Sequence, residues 1–298
     1  MERESLVTLL IMILGGLAMQ LLAAWPAIER GDATSPVLER NAWRALCRPV
    51  APFVVICAWL IGWALVEPDP VTDRLNPLVI VSVWLPFGLL FARAGARAAW
   101  ALLREPPECA VSTVGFLQPQ VVFSPYLARR LEEPVVRAAM AHERAHARHR
   151  DPLRIWLAQL ITDLQWPWPQ AQQRLDAWLA ALELARDEEA RREGVEGTDL
   201  AAAVLASVRF LGERSVGERL ALGGTQFVHA RLIGNEHTLQ YRVSRLLSPL
   251  RPDADASPRT RLRMPRWAAV LIPLLLAAML LGVAYGDWIM RPLLGLTS

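Results

Sequence analysis

The chain has 298 residues, enough for one or two domains, and 53% of them are hydrophobic although 20% are charged. The formal net charge is only +3 and no basic run with interleaved aromatic residues occurs, so nucleic acid is not an expected partner. The cysteines, Cys47, Cys57 and Cys109, form no CxxC pair, which argues against both a disulfide framework and a cysteine-rich zinc site.

Four apolar stretches are long enough to cross a bilayer, which takes about 20 residues. They are residues 6–25, 50–66, 77–92 or longer, and 267–286. The third meets Arg93 and Arg97, where we expect the helix to continue while the two side chains reach the interface. The first stretch resembles a signal peptide in its apolarity, but the residues before it carry no net positive charge, which favours a retained span.

The distribution of arginines predicts the orientation of these spans. Arginines cluster in the segment 26–48, after the third span and just before the fourth. The segment between the second and third spans carries only Arg74, and the tail carries only Arg291. This alternation predicts a multi-pass protein of the inner (cytoplasmic) membrane, with both termini outside and the central segment in the cytoplasm.

The predicted organisation has three parts: a membrane region with three spans at 1–103, a cytoplasmic domain at 104–262, and the fourth span with a short tail at 263–298. The central domain opens with "ECAVSTVGFLQPQVVFS", whose alternation and Pro break predict β-structure. Its strand Pro119–Ser124 is either a core strand or an edge that pairs with an extended peptide. The remainder of the domain has mainly helical periodicity.

The stretch "AHERAHARHRDP", residues 141–152, contains three of the five histidines. Acidic residues and a proline before it predict a helix start, and Asp151-Pro152 predicts its end. His142 and His146 are four apart and share one face of this helix, so both rings can bind one cation. Glu143 is displaced by about 100° around the axis and can reach a water on that cation. This is the HExxH arrangement of zinc hydrolases.

A catalytic zinc needs a third protein ligand and an open position for water. His149 shares the face of the first two histidines but lies roughly 10 Å of helix rise beyond His142, so we do not expect it to bind the same ion. Glu183 is the better candidate, and Asp187, four residues later on one face of the same helix, could accept the free N–H of a ligating histidine. On the residues alone, Glu188 and Glu189 remain rivals of Glu183.

The sequence around these residues resembles the BlaR/MecR-type membrane metallopeptidases. Three apolar spans precede the peptidase segment and one follows it. The stretch "VGFLQPQVVFSPYLARRLEEPVVRAAMAHERAHARHRDPL" looks like the strand, helix and HExxH of that family, followed by a basic run and Asp. The stretch "LQWPWPQAQQRLDAWLAALELARDEEA" resembles its E-L-A-x-D helix, and "RLIGNEHTLQYRVSRLL" is similar to the segment that ends its domain. The resemblance extends over most of the chain, from about residue 50 to 285.

The resemblance implies that His142, His146 and Glu183 bind zinc, that Glu143 is the catalytic glutamate, and that Asp187 supports a ligand. It also implies a fold of four transmembrane helices with an inserted zincin-like α+β metallopeptidase domain, in a mainly α membrane protein.

The chain departs from the family pattern at two positions near these residues. Arg186 stands where the family often has Cys, and His149 stands where it often has Arg or Lys, but neither change removes a ligand. Only about a dozen residues follow Gly286, so β-lactam sensing through a domain after the last span is not expected.

The expected function is therefore a zinc-dependent endopeptidase that faces the cytoplasm. The resemblance implies a regulatory protein substrate, such as a transcriptional repressor, and self-cleavage. The alternatives are an HtpX-like membrane quality-control protease and a catalytically idle membrane sensor or scaffold. For the second group that stabilises the oxyanion, the sequence offers only weak candidates in His229, His237 and Tyr241. The sequence does not predict an oligomeric state.

Overall fold

The structure is a computed structural model that describes residues 2–25, 35–65, 77–103, 111–115, 118–123, 129–213, 236–250, 273–274, 276–285 and 288. The described part is mainly helical, as predicted, with one small sheet. The candidate His229 lies outside the described residues.

In chain order the elements are α1 (Glu2–Ala24), α2 (Ser35–Cys47), α3 (Ala51–Ala64), α4 (Pro77–Leu103), β1 (Val111–Val114), β2 (Gln120–Phe123), α5 (Glu133–His149), α6 (Asp151–Leu164), α7 (Pro169–Arg192), α8 (Gly197–Glu213) and α9 (Glu236–Leu247). A further apolar helical stretch covers Leu276–Tyr285.

The first three predicted spans coincide with helices α1, α3 and α4, which pack on one another through a small apolar core. This core contains Met19, Val50, Phe53 and Leu90. Helix α4 continues past Arg93 and Arg97 to Leu103, as the sequence predicts.

Among the residues whose side chains the structure describes, no single helix is both long enough and apolar enough to cross a membrane. The helices Ser35–Cys47 and Ala51–Gly62, which meet at a bend of 57°, pass the same test of length and composition when they are taken together. The four spans and their orientation therefore stay a prediction.

Helix α2 contributes one face to a hydrophobic core of the central region. Its buried side chains lie on that face because they recur at helical spacing. Trp43 packs against Trp178 of α7 with ring centroids 4.9 Å apart and planes inclined by 55°. This core also contains Leu46 of α2, Ile155 of α6 and Leu182 of α7. Although α2 lies between the first two predicted spans, it packs on the helix that carries Glu183.

The corner between α6 and α7 is joined to α1 and α2 through buried polar contacts. Arg174 donates hydrogen bonds to the carbonyl oxygens of Ala23 and Trp25, at 2.7 and 2.8 Å, and to Gln165 Oε1 at 2.8 Å. Gln165 Nε2 in turn donates to the carbonyl oxygen of Leu46 at 3.1 Å. The carbonyl groups at the carboxyl ends of α1 and α2 thereby gain partners that the helices themselves cannot supply.

A second connection runs from α4 to α6. Arg93 and Arg97, one turn apart, both pair with the buried carboxylate of Asp163, at 3.2 and 3.0 Å. These arginines thus contact the central helices.

A second core joins α5, α7, α8 and α9 through small residues, which allow the helices to approach closely. Gly197, at the start of α8, is the tightest point. A Cβ atom on this residue would lie 2.0 Å from the carbonyl oxygen of Leu246 in α9. The position of α9 beside the centre therefore depends on a residue without a side chain.

The predicted β-rich run forms an antiparallel hairpin, in which Val111 pairs with Phe123 and Val114 pairs with Gln120. Gly115 turns the chain with φ of +100°, a conformation that residues with a Cβ rarely adopt. Both strands contact α5, so the hairpin covers the helix that carries the HExxH sequence.

Candidate metal centre

The two histidines of the HExxH sequence lie on the buried face of α5, which has Pro134 in its first turn as predicted. His142 and His146 are 7% and 3% exposed. Their rings meet nearly edge to face, and the two Nε2 atoms are 3.1 Å apart. Two imidazole acceptors directed at one point inside the protein are the arrangement that a shared cation requires.

Helix α7 brings Glu183 to the same point. Its Oε2 lies 3.3 Å from His142 Nε2, and its Oε1 lies 3.6 Å from His146 Nε2. Ligand atoms around a tetrahedral zinc are separated by about 3.3 Å, because each Zn–N or Zn–O bond is about 2.0–2.1 Å long. The three separations are therefore close to those of a zinc site, and this buried group could hold a metal ion.

The other ring nitrogen of His146 is held by Asp151, which is completely buried. His146 Nδ1 lies 2.9 Å from Asp151 Oδ2, and Arg186 donates to both carboxylate oxygens of Asp151, at 2.5 and 3.1 Å. Burial opposes ionisation, but hydrogen bonds from His146 and the charge of Arg186 hold the pKa of Asp151 well below its usual range. The ionised Asp151 fixes the tautomer in which Nε2 of His146 is free to bind a cation.

Asp151 reaches this position because the chain turns sharply after α5. Arg150 adopts the left-handed conformation, with φ of 53° and ψ of 43°, which ends α5 and starts α6. This conformation costs a residue with a Cβ atom roughly 1–2 kcal/mol of free energy. The sequence correctly predicted a break at Asp151-Pro152, but the proline opens a new helix there, and the aspartate points back to the site.

Asp187, the residue predicted to support a ligand, lies beside the ring of His142. Its Oδ1 lies 2.9 Å from His142 Nδ1, although the angles of this contact fall short of a well-formed hydrogen bond. Burial favours a neutral ring, but the carboxylates of Asp187 and Glu183 outweigh it and raise the pKa of His142 to about 10. Burial likewise opposes the charge of Asp187, yet Arg242 and His142 lower its pKa to about 2. A cation that binds here therefore takes the place of a proton.

Arg242 of α9 contacts the same group, and the sequence did not predict this contact. Its guanidinium donates two hydrogen bonds to Asp187, from Nε to Oδ2 at 2.6 Å and from Nη2 to Oδ1 at 2.8 Å. Nη1 lies 2.8 Å from Glu183 Oε2, and Nη2 lies 3.3 Å from His142 Nε2. Burial lowers the pKa of Arg242, but the charges of Asp187 and Glu183 raise it by more. The side chain therefore stays protonated.

Glu143 is also buried, and its partner comes from the hairpin. Thr113 Oγ1 of β1 lies 2.8 Å from Glu143 Oε2 and 2.9 Å from the carbonyl oxygen of Glu143. A hydroxyl has one proton, so Thr113 donates to one of these oxygens at a time. The hairpin thus orients the carboxylate of Glu143.

The remaining candidates lie elsewhere. His149 Nε2 pairs with Glu189 at 2.9 Å at the exposed end of α5, so it does not join the group, as expected. Glu188 pairs with Arg192 on its own helix at 2.5 Å. Neither rival of Glu183 is therefore part of the group formed with His142 and His146. Tyr241 is half exposed.

The charges of the centre suit a divalent cation. Four buried carboxylates face one buried and one partly buried guanidinium around the two rings. The carboxylates belong to Glu143, Asp151, Glu183 and Asp187, and the guanidiniums belong to Arg186 and Arg242. An excess of negative charge at this depth is costly unless a cation balances it.

Comparison with known proteins gives no match to any family model, curated protein or solved structure.

Proposed function

We propose that the protein is an integral-membrane zinc-dependent endopeptidase whose active site faces the cytoplasm. The observation that carries this proposal is the buried convergence of His142, His146 and Glu183, with Glu143 next to the first ligand in the sequence. Zinc suits two imidazoles and one carboxylate, and three protein ligands leave a position for water.

His142, His146 and Glu183 would hold the zinc ion, which would supply Lewis acidity towards a water and the scissile carbonyl group. Glu143, oriented by Thr113, takes the proton of the attacking water and passes it to the leaving amine. Asp151 holds the ring of His146 in the tautomer that binds a cation, and the carboxylate of Asp187 lies beside Nδ1 of His142. Arg242 presents N–H groups to the same cluster and is positioned to stabilise negative charge.

For the substrate we propose a regulatory protein, such as a transcriptional repressor, with self-cleavage as a second event. The support is the resemblance of the sequence to the BlaR/MecR-type metallopeptidases. The polar links from the membrane helices to the α6–α7 corner suit a protease that responds to a signal received in the membrane.

The Glu143→Gln substitution tests the proposal. We expect the variant to bind zinc as the unchanged chain does, because Glu143 is not a ligand. We expect cleavage to fall by a factor on the order of 10²–10⁴, since general acid–base catalysis is lost. The measurement is the release of new amino termini from a proteome-derived peptide library, with zinc content measured on the same samples, before and after chelation.

Glu133→Gln is the matched control, because Glu133 lies on the same helix with its side chain exposed and paired only locally with Arg137 in the described contacts. It should cleave at the unchanged rate. If the Glu143→Gln variant cleaves as fast as this control, or chelation leaves cleavage intact, the chain is not a zinc peptidase of this kind. The inactive Glu143→Gln variant can also be used to capture protein substrates. Capture of many unrelated membrane proteins, and of no single regulator, would favour the quality-control function.

A further inference from the structure

A second set of buried charges lies behind the metal centre and includes a residue far from it in sequence. Glu39 of α2 is 8% exposed. Its Oε1 lies 2.5 Å from Arg154 Nη2 and 3.7 Å from Arg186 Nη2. Arg154 also stacks over the rings of Trp43 and Trp178, with 5.5 Å from its guanidinium carbon to each centroid.

Both of these arginines also bind Asp151, the carboxylate that holds His146. Arg154 Nη1 donates to Oδ1 at 2.9 Å, and Arg186 Nε donates to Oδ2 at 2.5 Å, the same oxygen that contacts His146 Nδ1. A continuous line of polar contacts therefore runs from Glu39 through the two guanidiniums and Asp151 to the ring of His146.

The balance of charge along this line gives Glu39 a defined effect. Without Glu39, Asp151 would have to pair with Arg154 and share Arg186 with Glu189, whose Oε2 lies 3.5 Å from Arg186 Nη1. Glu39 supplies a further buried carboxylate to both guanidiniums. Without that charge, both arginines would draw on Asp151, which would weaken its contact with His146 and let the ring turn. An uncompensated positive charge behind a ligand also disfavours a divalent cation, and the low dielectric of the interior strengthens this effect.

We propose that Glu39 is a positioning residue for the metal ligand His146 and acts through Arg154, Arg186 and Asp151. Helix α2, which lies between α1 and α3, is then the element that connects the membrane region to the geometry of the metal centre. This inference depends on the proposed zinc site but not on any substrate.

The test measures metal binding by the full chain purified in detergent. Zinc affinity is determined by competition with a chromophoric chelator, and the visible spectrum of bound cobalt(II) reports the ligand geometry. We expect Glu39→Gln to weaken zinc binding by about three- to tenfold and to shift the cobalt bands. Loss of the direct partner in Asp151→Asn should cost more, about 10–100-fold. Glu39→Gln should add nothing in the Asp151→Asn background, because its effect passes through Asp151.

The controls separate this inference from the proposed function. Glu133→Gln removes an exposed carboxylate and should leave affinity and spectrum unchanged. If Glu39→Gln does not fold, Glu39→Asp keeps the charge but shortens the reach to Arg154, and it should weaken binding about two- to threefold, less than loss of the charge. Unchanged affinity and spectrum in the Glu39 variants, or equal losses in both backgrounds, would overturn the positioning role. An unchanged chain that binds no zinc would instead overturn the proposed function.

Discussion

At the scale of single residues, helical spacing and one left-handed turn bring the groups of the metal centre together. His142 and His146 share a face because they are four apart, and Glu183 and Asp187 do so for the same reason. Asp151 lies five residues after His146, but only the left-handed turn at Arg150 directs it to the ring, and spacing does not reveal that turn.

Thr113 and Arg242 could not have been found this way. They lie 30 and 100 residues from their partners Glu143 and His142, and only the packing of the hairpin and α9 on α5 and α7 brings them close. Nothing in their own sequence surroundings distinguishes them from other threonines and arginines.

The hydroxyl of Thr113 leads to a prediction about rate. Thr113→Val keeps the shape of the side chain but removes the donor to the Glu143 carboxylate. A hydrogen bond to a charged group contributes about 1.5–3 kcal/mol, so the turnover rate should fall about 10- to 100-fold. Zinc content should not change, because no described contact joins Thr113 to a ligand. The measurement is the cleavage rate of a peptide selected from the library, at saturating concentration.

Thr113→Ser provides the matched control, since it keeps the hydroxyl and should restore most of the rate. Equal rates for the valine variant and the unchanged chain would show that Glu143 needs no partner from the hairpin.

At the scale of elements, the sequence predicts which segments form helices, but it does not predict which helices pack against each other. The buried side chains of α2, Ser35, Glu39, Trp43 and Leu46, recur at spacings of four, four and three, which is an amphipathic signal within a segment that was predicted only as a connection between spans. Which helix covers that face depends on the shape of Trp178 and its neighbours, so the contact with α7 had to come from the structure.

The close contact between α8 and α9 leads to a prediction about stability. In Gly197→Ala, the new Cβ would lie 2.0 Å from the carbonyl oxygen of Leu246, a backbone atom that cannot rotate away. Overpacking of this kind typically costs about 1–3 kcal/mol, and α9 must shift together with Arg242. We expect a lower thermal unfolding midpoint, measured by circular dichroism in detergent.

Gly95→Ala is the comparison for this change, because a Cβ at Gly95 meets no atom within 4 Å. It should leave the midpoint unchanged or raise it slightly, since alanine favours a helix over glycine. A Gly197→Ala variant as stable as Gly95→Ala would mean that α9 is not held against α8 at this point.

At the scale of the whole molecule, the exposed apolar residues are the feature that bears on the proposed insertion in a bilayer. On α1, Leu10, Leu14, Leu17 and Leu21 are each more than half exposed and lie along one face. The stretch Leu276–Tyr285 exposes further leucines. Rows of this kind are unfavourable in water and favourable against lipid tails.

This pattern predicts that the chain stays in the membrane pellet after alkaline carbonate and high salt, and that detergent releases it. A reporter fused after Gly286 should report an external position if the arginine distribution sets the orientation. Recovery in the carbonate supernatant would contradict the membrane assignment. A cytoplasmic reporter signal would contradict the orientation alone.

The contact between Trp43 and Trp178 has a practical consequence for anyone who wishes to shorten the chain. A fragment that starts at residue 104 would keep every proposed metal ligand, yet it would uncover a tryptophan that is completely buried and leave two arginines without one of their carboxylates. A trimmed version should therefore retain Ser35–Cys47, joined by a linker to the hairpin, so that α7 keeps its covering helix.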